Sequence, residues 1–265
     1  MFILGTGQLT AFELTPVEYI AAAAEAGLST VSLFLNPMAN ISGRCMTTAE
    51  NCKAVIDTLR ATDMQVANIE VFPLLPDLNI ENYRLALEMG NKLGARSVTV
   101  LLYDADEARV IDSLSRLCDM TRELGLKVGI EFMPLAPGWT TIEQTAELIT
   151  KINKPNLGIG VDLLHLIRSG GTPADMAAID PKLISYAQLC DSASTLATID
   201  YIEEATERRL TPGVGRLPIK EFIQALPKGI PLELEVPQPM DIPARERIKT
   251  IADAARRQIA LAGIY

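Results

Sequence analysis

Short runs of β-branched and apolar residues alternate with longer stretches of helical periodicity from one end of the chain to the other. The short runs at 2–6, 29–35, 65–72, 96–102, 126–132, 157–162, 183–189 and 230–236 read as strands. Helical patterns fall near 15–26, 47–62, 80–93, 106–124, 140–152, 172–178, 217–226 and 242–262. Eight strand-then-helix units are the number that closes a parallel barrel, so residues 1–265 are expected to form one (β/α)8 TIM barrel. Punctuation agrees. Thr15-Pro16 sets an N-cap before a proline at the first helical position, while Gly27, Gly94 and Gly125 each stand between a helix and the next strand. The rival is a doubly wound open sheet with a glycine-rich phosphate turn after its first strand. Gly5-Thr6-Gly7-Gln8-Leu9-Thr10 lacks the third glycine of that turn.

Charge narrows the partners. A net charge of −9 repels phosphate backbones and anionic membranes, and the only paired basic residues are Arg208–Arg209 and Arg256–Arg257. A small molecule is therefore the expected partner, with neither nucleic acid nor membrane. Cys45, Cys52, Cys118 and Cys190 show neither CxxC nor metal-finger spacing and read as reduced thiols. The N-terminal residues carry no signal-peptide pattern and no apolar run reaches a membrane-spanning length, which leads to an expectation of a cytoplasmic protein. The alanine stripe Ala21–Ala24 is compatible with a homo-oligomer without requiring one.

In a barrel strand alternate side chains point inward, so a polar residue near the C-terminal end marks the mouth where catalytic loops gather. Glu131 closes the fifth strand and Asp162 the sixth. The residues in phase with both acids are glycines, which predicts open room inside the barrel. In the eighth, Glu233 and Glu235 share the face opposite Leu232, Leu234 and Val236, and the third carries Glu70. Like charges buried together need a cation or a proton, and a divalent metal is the economical choice. Oxygen donors favour Mg²⁺ or Mn²⁺. Glu233 alternatively reads as a deeper structural acid paired with Lys or Arg.

His165, the single histidine, follows Asp162 by three residues and belongs at the rim of the same site. On the seventh strand Gln188 offers a neutral carbonyl oxygen to a metal, and Asp191 is suited to orienting a neighbour. Beyond it, Arg208-Arg209-Leu210-Thr211-Pro212-Gly213-Val214-Gly215-Arg216 forms a shaped loop with fixed positive charge for an anionic or polyhydroxy substrate.

Taken in order, Gly129-Ile130-Glu131, Asp162-Leu163-Leu164-His165, Gln188-Leu189-Cys190-Asp191, Arg209 to Gly215 and Leu234-Glu235-Val236 resemble the xylose isomerase-like barrels, the sugar phosphate isomerase/epimerase group. The resemblance covers nearly the whole chain. It implies one divalent metal held by Glu131, Asp162, Gln188 and Glu235. It also implies Glu131 and Glu235 as the proton-exchanging pair beside a substrate carbonyl, and His165 and Arg209 as substrate-binding residues. Glu70 and Asp191 join them as substrate-side polar groups. Two positions depart from the family pattern: Gln188 stands where histidine is usual, and Gly213-Val214-Gly215 replaces Gly-Glu-Gly.

Three readings follow. The first is a metal-dependent isomerase or epimerase of a sugar-like hydroxy-carbonyl compound. The second is a lyase or dehydratase sharing the same first proton abstraction, and the third a barrel that binds a small ligand without catalysis. The related multi-metal DNA-repair branch is disfavoured by one histidine and a net charge of −9.

Overall fold

The computed structural model describes residues 2–37, 43–196 and 200–264. Eight parallel strands close in sequence order into a barrel: β1 Ile3–Thr6, β2 Thr30–Phe34, β3 Gln65–Leu74, β4 Ser97–Leu102, β5 Lys127–Glu131, β6 Leu157–Asp162, β7 Ile184–Leu189 and β8 Pro231–Leu234. Around them lie α1 Pro16–Glu25, α2 Cys52–Thr62, α3 Arg84–Lys92, α4 Glu107–Glu123, α5 Ile142–Ile152, α6 Leu163–Arg168, α7 Pro173–Ala178, α8 Tyr201–Glu207, α9 Ile219–Ala225 and α10 Ala244–Leu261. The expected (β/α)8 barrel is thus observed.

Local chemistry starts and stops these elements. Thr15 and Glu18 form a reciprocal capping box on α1, and Thr141 with Gln144 does the same on α5. Gly27 follows α1 at φ +70°, a left-handed conformation that costs glycine little. Two helices were not expected from the pattern. α6 starts directly at the end of β6 because the Asp162 side chain accepts the His165 N–H and caps it. α8 is capped by Asp200, whose carboxylate accepts from Ile202 and Glu203.

Register divides the barrel wall into an apolar outside and a polar inside. Ile69, Val98 and Val128 align across β3 to β5, as do Val161, Ala187 and Leu232 across β6 to β8. All six are wholly buried beneath the helices. Burying such a surface is the main stabilising term, at roughly 25 cal/mol per Å² of apolar area. The opposite phase aligns Asp162 with Gln188 and Gln188 with Glu233 inside the barrel.

The inward glycines do not leave open room. The Tyr186 ring fills it, so a Cβ at Gly129 would lie 2.4 Å from Tyr186 and one at Gly160 would lie 2.3 Å away. Its hydroxyl is 2.8 Å from Thr99 Oγ1, and Thr99 in turn meets Asn68, which completes a buried polar floor. Among the described residues no helix is long and apolar enough to cross a membrane.

Candidate active site

Above that floor, at the C-terminal mouth, lies a cavity of about 360 Å³. Glu70, Glu131, His165, Arg209, Glu235 and Tyr201 give it a polar side, while Phe34, Leu101 and Met133 contribute to an apolar wall. A wider groove of about 650 Å³ shares Arg209 but is lined by none of the buried mouth acids, so the chemistry belongs to the smaller cavity.

His165 is brought in by α6 and held from both ring nitrogens. Nε2 lies 3.0 Å from Glu131 Oε1, and Nδ1 lies 2.7 Å from the Tyr201 hydroxyl. An Nε2–H pointed at the Glu131 carboxylate donates to it, while the Tyr201 hydroxyl pairs with Nδ1 on the other side of the ring. Donor atoms of Glu131, Asp162 and His165 all fall within 4.8 Å of one another. Tyr201, on the unexpected helix α8, was not anticipated as a site residue. It lies directly after Asp200, the N-cap of α8.

Arg209 is 2% exposed and serves two acids. Its Nη1 is 2.5 Å from Asp162 Oδ2, its Nη2 is 3.1 Å from Glu235 Oε2, and its Nε donates to Ala205 O at 2.8 Å. Glu235 follows β8 immediately, and its backbone N–H still bonds Leu189 O, so the barrel pattern carries it to the mouth. Burial, reinforced by neighbouring carboxylates, pushes Glu70 and Glu235 well above the usual carboxylate range. Asp162 moves the other way. Burial works against it, but Arg209 and His165 hold its carboxyl below the ordinary value.

Asp191 is not at the cavity. Its Oδ1 accepts the N–H of Ser192 and Leu217, and its Oδ2 accepts those of Gly213 and Gly215, at 2.8–3.0 Å. Four backbone donors surround the carboxylate, so Asp191 orders the loop after Arg209. Gly215 has to be glycine there, since a Cβ would come within 2.4 Å of Asp191 Oδ1 and 2.1 Å of Ser192 O. Glu233 is deep, as one reading expected, but has no Lys or Arg partner among the described residues; burial pushes its carboxyl up to about 7.

The donor set fits a divalent ion. Gln188 is wholly buried, and neither Oε1 nor Nε2 has a hydrogen-bond partner among the described residues. Opposite it in register stands Asp162, and Asp162 in turn groups with Glu131 and His165 as buried donors close enough together to share one ion.

Comparison with known proteins agrees with this architecture. Residues 20–258 match the family model of the xylose isomerase-like TIM barrel. The chain belongs to that family. Among its relatives is the 3-dehydroshikimate dehydratase of Pseudomonas putida, 24% identical over 237 residues, which are 83% of this chain and 35% of that protein. Another is the inosose isomerase of Bacillus subtilis, 26% identical over 147 residues, covering 53% of this chain and 51% of that one. The chain therefore spans about a third of the dehydratase's length and about half of the isomerase's. The crystal structure of the IOLI protein with a bound zinc atom superposes with a TM-score of 0.81 at 16% identity, over 98% of each chain. These family members are enzymes, with an isomerase and a dehydratase among them.

Proposed function

We propose that this protein is a divalent-metal-dependent isomerase or epimerase that removes a proton from the carbon beside a carbonyl of a small polyhydroxylated compound. The observation that carries this reading is that Glu131 and Glu235, from β5 and the end of β8, line one cavity and are tethered by different partners, His165 and Arg209. Two carboxyl groups thus converge on a space of substrate size.

Glu131, Asp162, Gln188 and Glu235 would hold the metal, with Mg²⁺ or Mn²⁺ suited to the oxygen-rich set. When bound, the ion supplies Lewis-acid polarisation of the carbonyl and its neighbouring hydroxyl. Glu131 takes the proton from carbon, and His165 steadies that carboxylate through its Nε2–H. Tyr201 holds the imidazole in place from the other side. Arg209 presents a fixed charge to substrate oxygens, and Glu70 accepts from a hydroxyl. Glu235 returns a proton to the planar carbon. The apolar wall of Phe34, Leu101 and Met133 keeps water from the carbanionic intermediate.

A second reading, dehydration, is favoured by the dehydratase among the relatives and by Glu235, whose carboxyl is pushed well above the usual range by burial and can protonate a departing hydroxyl so that it leaves as water. The test is incubation with inosose and 3-dehydroshikimate, after the two relatives, and with D-psicose as a simple polyhydroxylated ketone, in the presence of Mn²⁺ or Mg²⁺, followed by chromatographic separation and mass of any new product. A product of unchanged mass supports isomerisation, and one lighter by a water supports dehydration. Binding of any of the three without turnover, with metal bound, would favour a non-catalytic barrel.

A further inference from the structure

Gln188 stands between two acids inside the barrel. It is opposite Asp162 on β6 and opposite Glu233 on β8, and residues opposite one another on neighbouring parallel strands share a face. All three side chains are fully buried. Asp162 is engaged, Oδ1 by the His165 N–H and Oδ2 by Arg209. Gln188 and Glu233 are not. Both amide atoms of the one lack a hydrogen-bond partner among the described residues, and the carboxyl of the other has none within ordinary bonding distance, the Ser32 hydroxyl on β2 being the polar neighbour that lowers its pKa against the effect of burial.

An amide has two unlike ends. Its oxygen suits a cation, whereas its NH₂ only donates and would be turned against one. Nothing within Gln188 itself decides which end faces Asp162, so a metal-binding role needs an acceptor on the far side of the NH₂ group. Glu233 is the acceptor that the register places there, while its neighbour on β1 is Gly5, which brings no side chain.

We propose that Glu233 is the positioning residue of Gln188: its carboxyl accepts the Nε2–H, directly or across one water, and thereby turns Oε1 toward Asp162 and the Glu131–His165 donors. The inference rests on the metal reading above. It assigns Glu233 a purpose distinct from that of Glu235 two residues on, since Glu233 shapes a ligand and does not itself touch the ion. Groups behind a metal ligand typically change affinity by about 10–100-fold when removed.

The test is calorimetric titration of the full chain with Mn²⁺. Glu233→Met, which keeps the bulk and removes the acceptor, is expected to weaken binding by about 10–100-fold. Glu233→Gln retains an acceptor oxygen and should stay close to wild type. Gln188→Glu replaces the amide by a carboxylate with two equivalent oxygens, so adding Glu233→Met to that variant should cost no further affinity. If Glu233→Met does not fold, Glu233→Asp withdraws the carboxyl by one methylene and is expected to weaken binding in the same direction. Wild-type affinity in the Met or Asp variant, or an equal loss in the Gln188→Glu background, overturns the assignment alone. A wild-type chain that takes up no Mn²⁺ overturns the metal reading together with it.

Discussion

Arg209 closes a buried ion pair with Asp162, Nη1 to Oδ2 at 2.5 Å, with side chains 2% and 0% exposed. The same guanidinium reaches Glu235, so one cation compensates two acids that water does not solvate. Removing it leaves both acids buried without a counter-charge. Arg209→Met is therefore expected to lose about 3–5 kcal/mol of stability in metal-free protein. Saturating Mn²⁺ should recover part of that loss, because the ion replaces the missing charge. Urea denaturation with and without Mn²⁺ checks both statements, and an Arg209→Met chain as stable as wild type without metal would contradict them.

Asp191 is expected to matter for architecture before chemistry. Its carboxylate takes four backbone N–H groups, and hydrogen bonds to a charged group are worth about 1.5–3 kcal/mol each. Asp191→Ala should destabilise the chain by more than about 3 kcal/mol. Asp191→Asn, which keeps one acceptor oxygen, should cost less. Denaturation midpoints order the three proteins, and a silent alanine variant would show that the loop after Arg209 is held by something else.

Glu233 gives the stability a pH dependence. Burial raises its carboxyl from 4.5 to about 7. A carboxyl raised on folding favours the folded state below its unfolded pKa, and that advantage is lost as the pH climbs through the folded value. In metal-free protein the Glu233 contribution is thus full below about pH 4.5 and gone above about pH 7. Glu233→Gln does not titrate, so it should gain on wild type across this window, by on the order of a few kcal/mol. Melting curves of the two proteins in chelator across that range measure the difference. Curves that stay parallel would contradict it.

Much of this was readable from the sequence, and the reasons are physical. Glu131 and Asp162 were recognisable as mouth residues because each is an acid at the end of an otherwise apolar strand. The helix α6 was hidden because Asp162 does two things, closing a strand and capping the next helix, and a pattern built on apolar periodicity registers only the first. Gly129 and Gly160 predicted open space because the sequence does not show that Tyr186 on β7 leans across both strands to fill it. The loop-ordering role of Asp191 was hidden for the same reason. Its four backbone donors come from a loop 22 to 26 residues further on, and from the next residue, and only the folded chain brings them together. Tyr201 was invisible because a tyrosine in an unpatterned segment carries no periodic signal.

On the proposed function, Glu131 removes a proton from the carbon beside a carbonyl in a reaction that needs a divalent ion. The most direct measurement follows deuterium at that carbon by NMR, using whichever of the three test compounds is turned over, in D₂O with Mg²⁺. Wild-type protein should introduce deuterium there, chelator should abolish the exchange, and Glu131→Gln should lower its rate by at least about 100-fold while the chain stays folded. Turnover in which a label at that carbon migrates without exchanging with solvent, or a Glu131→Gln variant that exchanges as fast as wild type, would contradict the account.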